Sequence, residues 1–133
     1  MRVVFDTNVL YSAFTTKGFC EEVLYEAAGE CVIIWSAQLK EEFESVLARQ
    51  HKTGPATRAA LIAFVDLCEF VEPEPLAKRV CRDKDDDVVL ATAVAGAADV
   101  IVTGDDDLLA LESYQRIAIL SPRQFLEVLD QRM

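Results

Sequence analysis

The sequence predicts an α/β protein, a three-layer α/β/α sandwich around a central, mainly parallel sheet. Two observations carry this. Strand-like and helix-period segments alternate along the chain. The inner strand candidates are also unbroken apolar runs, such as Val3-Val4-Phe5 and Val100-Ile101-Val102, as expected of parallel strands covered by helices on both faces.

The elements follow in order. Arg2 to Asp6 is a β-branched run ending at an acid, and Asn8 to Thr16 continues with helical apolar spacing. Lys17-Gly18 interrupts, and Phe19 to Glu30 repeats apolar residues at Phe19, Val23, Leu24 and Ala27 before closing at Gly29. A second strand is predicted at Cys31 to Trp35. Ser36 then stands as the N-cap of a helix over Ala37 to Gln50, whose stripe is Leu39, Phe43, Val46 and Leu47. His51 to Ala56 reads as a loop, and Thr57 to Leu67 as a helix. Cys68 to Glu72 is a short third strand stopped by Pro73 and Pro75. The acidic run Asp83 to Asp87 leads into an Ala- and Val-rich helix at Val88 to Ala97. A strand at Val100 to Thr103, a helix at Asp105 to Leu111 and a strand at Arg116 to Leu120 come next. The last helix, Pro122 to Gln131, has Ser121 as cap, Pro122 at its first position and Gln124 three residues after the cap. With no linker, repeat or low-complexity tract, residues 1–133 read as one domain.

Composition narrows the function. No apolar run reaches the roughly 18 residues of a membrane span, and the start lacks the long apolar stretch of a secretion signal. A cytoplasmic location without membrane association is expected. Cys20, Cys31, Cys68 and Cys81 are scattered, with no C-x-x-C pair, so they read as reduced thiols rather than zinc ligands. The single histidine, His51, lies in a polar loop, which removes support for a Ser-His or Cys-His mechanism. Thirteen Lys and Arg face 23 Asp and Glu, a net charge of −10. That sign opposes holding nucleic acid by phosphate contacts alone.

The placement of the acids matters more than their number. In open parallel sheets the functional crevice lies at the carboxyl ends of the strands. Asp6 ends the first strand and Asp105 follows the fourth, after Thr103-Gly104; Asp86, near a helix start, and Glu42, in the helix after the second strand, have reach to the same edge. Taken singly, acids near helix starts are explained by capping and the helix dipole, and Glu41 and Glu44 read as solvated neighbours. Asp6 is harder to explain so, because an acid ending a buried strand is desolvated. Four converging acids repel one another, and a hard divalent cation, Mg²⁺ or Mn²⁺, is the natural remedy. Two such cations about 3.5–4 Å apart are the usual apparatus of phosphodiester hydrolysis.

Four ordered motifs carry a family resemblance: D-T-N-V-L at Asp6 to Leu10, E-x-x-x-V-L at Glu42 to Leu47, D-D-x-x-x-L-A-T-A at Asp85 to Ala93, and T-G-D-D-D-L-L at Thr103 to Leu109. Together they resemble the PIN-domain nucleases over essentially the whole chain, most closely the VapC-like toxin components of bacterial toxin–antitoxin systems. The resemblance implies a Mg²⁺- or Mn²⁺-dependent endoribonuclease acting on single-stranded or looped RNA, a homodimer, and an antitoxin protein as partner. It implies that Asp6, Glu42, Asp86 and Asp105 are the catalytic acids and metal ligands, with Thr7, Asn8, Thr103 and Asp107 in support. The third position stays open: Asp86 stands seven residues before Ala93, whereas counting back from Thr103 favours Asp87. The basic residues available to hold RNA are Arg49, Lys52, Arg58, Lys78, Arg79 and Arg82.

Two rival readings are weaker. An aspartate-dependent phosphatase of the haloacid-dehalogenase type wants an acid two residues after the first, where Asn8 stands. A catalytically weak PIN-like module that only holds RNA or protein calls for a damaged acid set, and all four acids are present.

Overall fold

The computed structural model describes residues 1–132; Met133, the last residue of the expected domain, lies outside them. The strands are β1 (Arg2–Phe5), β2 (Val32–Trp35), β3 (Glu69–Phe70), β4 (Val100–Val102), β5 (Ser113–Tyr114) and β6 (Ile117–Leu120). The helices are α1 (Thr7–Thr15), α2 (Phe19–Glu30), α3 (Ala37–Arg49), α4 (Pro55–Leu67), α5 (Lys84–Ala95), α6 (Asp106–Leu111) and α7 (Pro122–Gln131). They build one sheet in the order β3-β2-β1-β4-β6-β5, parallel except for β5. Helices cover it as an α/β/α sandwich, the class the alternating pattern predicts. Among the described residues no helix is long and apolar enough to cross a membrane.

The order of the sheet follows from burial. β1 and β4 are neighbours near its centre, and Val3, Val4, Phe5, Val100, Ile101 and Val102 are all buried. Polar residues enter only after the strands stop, at Asp6 and Thr103. Both of these acid-bearing strand ends therefore lie on one edge of the sheet.

A T-shaped aromatic cluster fixes the helices beside that edge. Phe14 of α1 meets Phe43 of α3 at 5.1 Å and Phe64 of α4 at 5.6 Å between ring centroids, and Trp35 of β2 meets Phe64 at 4.9 Å. Four elements so lock around one knot, with edge-to-face pairs adding to simple area burial. At the other end of the molecule α5 presses onto β2: a Cβ at Gly96 would stand 2.5 Å from Ile34 Cγ2. Glycine is needed there for close approach rather than for an unusual dihedral.

Three expectations are corrected. β1 stops at Phe5, and Asp6 is the N-cap of α1 rather than a strand residue, its carboxylate accepting from the Thr7 N–H. The acidic run does not precede the fifth helix but forms its cap and first turn, with Asp83 capping and Asp85, Asp86 and Asp87 inside. Negative charge in a first turn is favoured by the helix dipole, which is why the helix starts there and not at Val88. The third correction is a small antiparallel hairpin, β5–β6, that the periodicity does not announce.

That hairpin turns through Gln115 and Arg116, both at positive φ (47° and 70°). Two consecutive left-handed residues are the pattern of a type I′ turn, which prefers Asn-Gly. Replacing Gln115-Arg116 by Asn-Gly is therefore expected to stabilise the protein by about 1 kcal/mol, read as a raised urea midpoint with unchanged slope.

Candidate active site

The site grows out of the two central strand ends. Asp6 is 6% exposed and is held by three donors: the Thr103 hydroxyl at 2.7 Å, the Thr7 N–H at 2.7 Å and the Asn8 amide at 3.4 Å. Burial pushes its carboxyl pKa up; the bonds from Thr103 and Thr7 oppose this, and the charge of Asp105 adds to it. Thr103, fully buried, spends its one hydrogen on Asp6 and accepts from the Asp105 N–H at 2.9 Å. Asp105 in turn caps α6 by accepting from the Leu108 N–H at 3.0 Å. Asn8 closes the loop, its side-chain oxygen accepting from the Gly104 N–H at 3.2 Å. Asp6 and Asp105 are thus fixed relative to each other by hydrogen bonds rather than by apolar packing.

Glu42 and Asp86 arrive on helices. Ser36 caps α3 through the Leu39 N–H and shares a buried hydrogen bond of 3.0 Å with Thr92 of α5. This ties the helix bearing Glu42 to the helix bearing Asp86. Glu42 accepts from the Thr7 hydroxyl at 3.3 Å, and burial, then the charges of Asp85 and Asp6, push its pKa up. Asp86 is pushed up to about 7, by burial first and then by Asp105 and Asp6.

All four acids line one cleft of about 300 Å³, together with Thr7, Asn8, Tyr11, Asp83 and Asp85. Carboxylate oxygens of Asp86, Asp105 and Asp107 lie within 4.8 Å of one another, so Asp107, expected in a supporting place, belongs with the closest trio. A larger cavity of about 700 Å³ lies elsewhere, between the segment after β3, α5 and the β5–β6 turn, and holds none of these acids.

Asp87 goes a different way. Its two oxygens accept from the Val80 N–H at 3.1 Å and the Cys81 N–H at 2.8 Å, binding the segment before α5 to the first turn of that helix. Asp85 and Asp86 line the cleft, and Asp87, about 200° around the helix from Asp85, does not. Asp83, Asp85 and Tyr11 were not singled out by the sequence reading. Recognising Asp83 as an N-cap would have brought the first two to attention; nothing local marks Tyr11.

Residues 2–107 match the family model of the PIN domain, and the chain belongs to that family. A chain of the crystal structure of VapBC2 from Rickettsia felis, bound to a DNA fragment from their promoter, has a similar fold: TM-score 0.64 at 16% identity, over 90% of this chain and 97% of that one. No curated protein matches the chain by sequence.

Two outcomes are expected of the site. Thr103→Val keeps the shape but strips Asp6 and the Asp105 N–H of a buried partner; it should cost about 1–3 kcal/mol in urea unfolding, with Thr103→Ser recovering most of it. Asp86 gives a pH signature in chelator. Its folded pKa lies above its unfolded value, near 3.9, so the folded state holds the extra proton and stability falls as pH rises from about 4 to about 7. Asp86→Asn should therefore melt above the wild type at pH 8, and the gap should close as pH is lowered toward about 4.

Proposed function

We propose that this chain is a Mg²⁺- or Mn²⁺-dependent endoribonuclease that hydrolyses single-stranded or looped RNA, the toxin of a toxin–antitoxin pair. One observation carries the reading. Asp6, Glu42, Asp83, Asp85, Asp86 and Asp105 line one cleft into which, among the described residues, no Lys or Arg enters. Acids raised first by burial and then by one another's charge, with no cation of the protein among them, match a site built for hard divalent ions.

The donor set fits such an ion: every candidate ligand is a carboxylate oxygen. Asp6, Glu42, Asp86 and Asp105 are the residues that would hold it, with Asp107 at the rim. A bound cation supplies Lewis-acid stabilisation of a phosphodiester and a water activated for attack. The chain supplies the positioning. Thr103 and Asn8 hold Asp6 and Asp105 in register, Thr7 orients Glu42, and Asp86, least tolerant of its charge, gains most from a cation beside it.

RNA as substrate and an antitoxin partner rest on membership of the PIN domain family and on the fold shared with the VapBC2 structure. A homodimer in the cytoplasm belongs to the same reading.

The purified protein should cleave a generic single-stranded RNA with Mg²⁺ or Mn²⁺ and stop in excess chelator; chelator-resistant hydrolysis would overturn the reading. Asp86→Asn should lose about 100-fold or more in rate, comparable with removing one preorganised electrostatic contact. Asp87→Asn should keep most of its rate per folded molecule and instead melt lower, because Val80 and Cys81 lose their acceptor.

A further inference from the structure

We infer that Arg82 is a substrate-contacting residue, a guanidinium held at the rim of the acid cleft to take a phosphate of the RNA; the inference rests on the nuclease reading above. Among the described residues, Arg82 is the only Lys or Arg that forms an ion pair with an acid of the closest trio. Its Nη2 donates to Asp107 at 2.8 and 3.1 Å and its Nε at 3.3 Å. Asp107 places it beside Asp86 and Asp105, where a scissile phosphate has to arrive.

The backbone beneath Arg82 is built. Asp87 holds the N–H groups of Val80 and Cys81, and Arg79 donates to the carbonyls of Cys81 and Arg82 at 3.2 Å each. Asp83, next in the chain, caps α5. The main chain is therefore fixed while the side chain, tied only to Asp107, stays open to solvent: it is 87% exposed, and its Nη1 has no protein partner among the described residues.

An arginine used only for stability is poorly placed here, because an exposed ion pair contributes little. An arginine meant for phosphate is well placed, since its planar fork binds two oxygens at once and releases a solvated carboxylate at small cost. Asp107 then serves to aim the guanidinium until a phosphate replaces it.

The test is single-turnover cleavage of a labelled single-stranded RNA at fixed low Mg²⁺ over a range of KCl, together with calorimetric titration of the RNA-free protein with Mn²⁺. Arg82→Ala should raise the half-saturating protein concentration several-fold and flatten its logarithmic salt dependence by about 0.7, one phosphate contact on a single strand. Mn²⁺ affinity should not fall, because removing an exposed cation beside the acids takes away repulsion of the ion. Arg82→Lys should keep the salt slope and recover part of the affinity. Arg132→Ala, near Cys31 at the opposite edge of the sheet, should change neither. If Arg82→Ala leaves the salt slope unaltered, or lowers Mn²⁺ affinity instead, Arg82 only orients Asp107 and the inference falls while the nuclease reading stands. If the wild type does not cleave RNA with metal, both fall.

Discussion

The arrangement depends on one hydroxyl. An aspartate at the mouth of two buried parallel strands carries a desolvation cost unless donors meet it. Thr103 supplies the donor from the neighbouring strand end and uses its lone pair to hold the next acid's backbone. β1 and β4 are joined along their length by ladder hydrogen bonds, but at the carboxyl edge the ladder's last link is this side chain. Asp6 and Asp105 are consequently in a fixed relation before any ligand is present. Preorganisation of this kind is what electrostatic catalysis requires, since nothing has to be ordered at the moment of reaction.

The same constraint explains why the site opposes stability. Asp6 has donors enough to moderate its charge, whereas Asp86, pushed up by burial and then by Asp105, Asp6 and Asp83, is left with a pKa of about 7. Fixing α3 to α5 through Ser36 and Thr92 prevents the helices from relaxing apart to relieve the crowding. The core absorbs the strain: Trp35, Phe43 and Phe64 interlock behind the cleft, and Leu39 and Leu90 are fully buried on the two helices concerned. Where local rules are broken in a coordinated way, a functional reason is the usual one.

Much of this was legible in the sequence. Unbroken β-branched runs mark β1 and β4 because both their faces are covered. Asp6 and Asp105 could be assigned to one edge because parallel strands end on the same side. Glu42 and Asp86 are brought to that edge by helix packing, for which only the motif spacing spoke. The failures have physical causes. A turn of Gln115 and Arg116 carries none of the Gly or Asn signal that a left-handed pair normally shows, so the β5–β6 hairpin was invisible. Three consecutive aspartates cannot be told apart by periodicity until the helix start is known, and Asp83 as cap is what fixes it. The ion pair of Arg82 with Asp107 joins residues 25 apart in sequence and leaves no local trace.

The net charge of −10 then takes a different meaning. Uniformly spread, such a charge would repel a polyanion at long range. It is not uniformly spread. Six carboxylates are concentrated in one cleft, and Arg82, just before the cap of α5, is paired with Asp107 beside it. Repulsion is screened over about 8 Å at physiological ionic strength, so what a phosphate meets at contact is the local arrangement rather than the formal sum. An acidic chain with few basic residues can engage RNA provided one stands at the cleft, and the capping of α5 by Asp83 together with the clasp of Asp87 on residues 80 and 81 fixes the main chain on either side of Arg82.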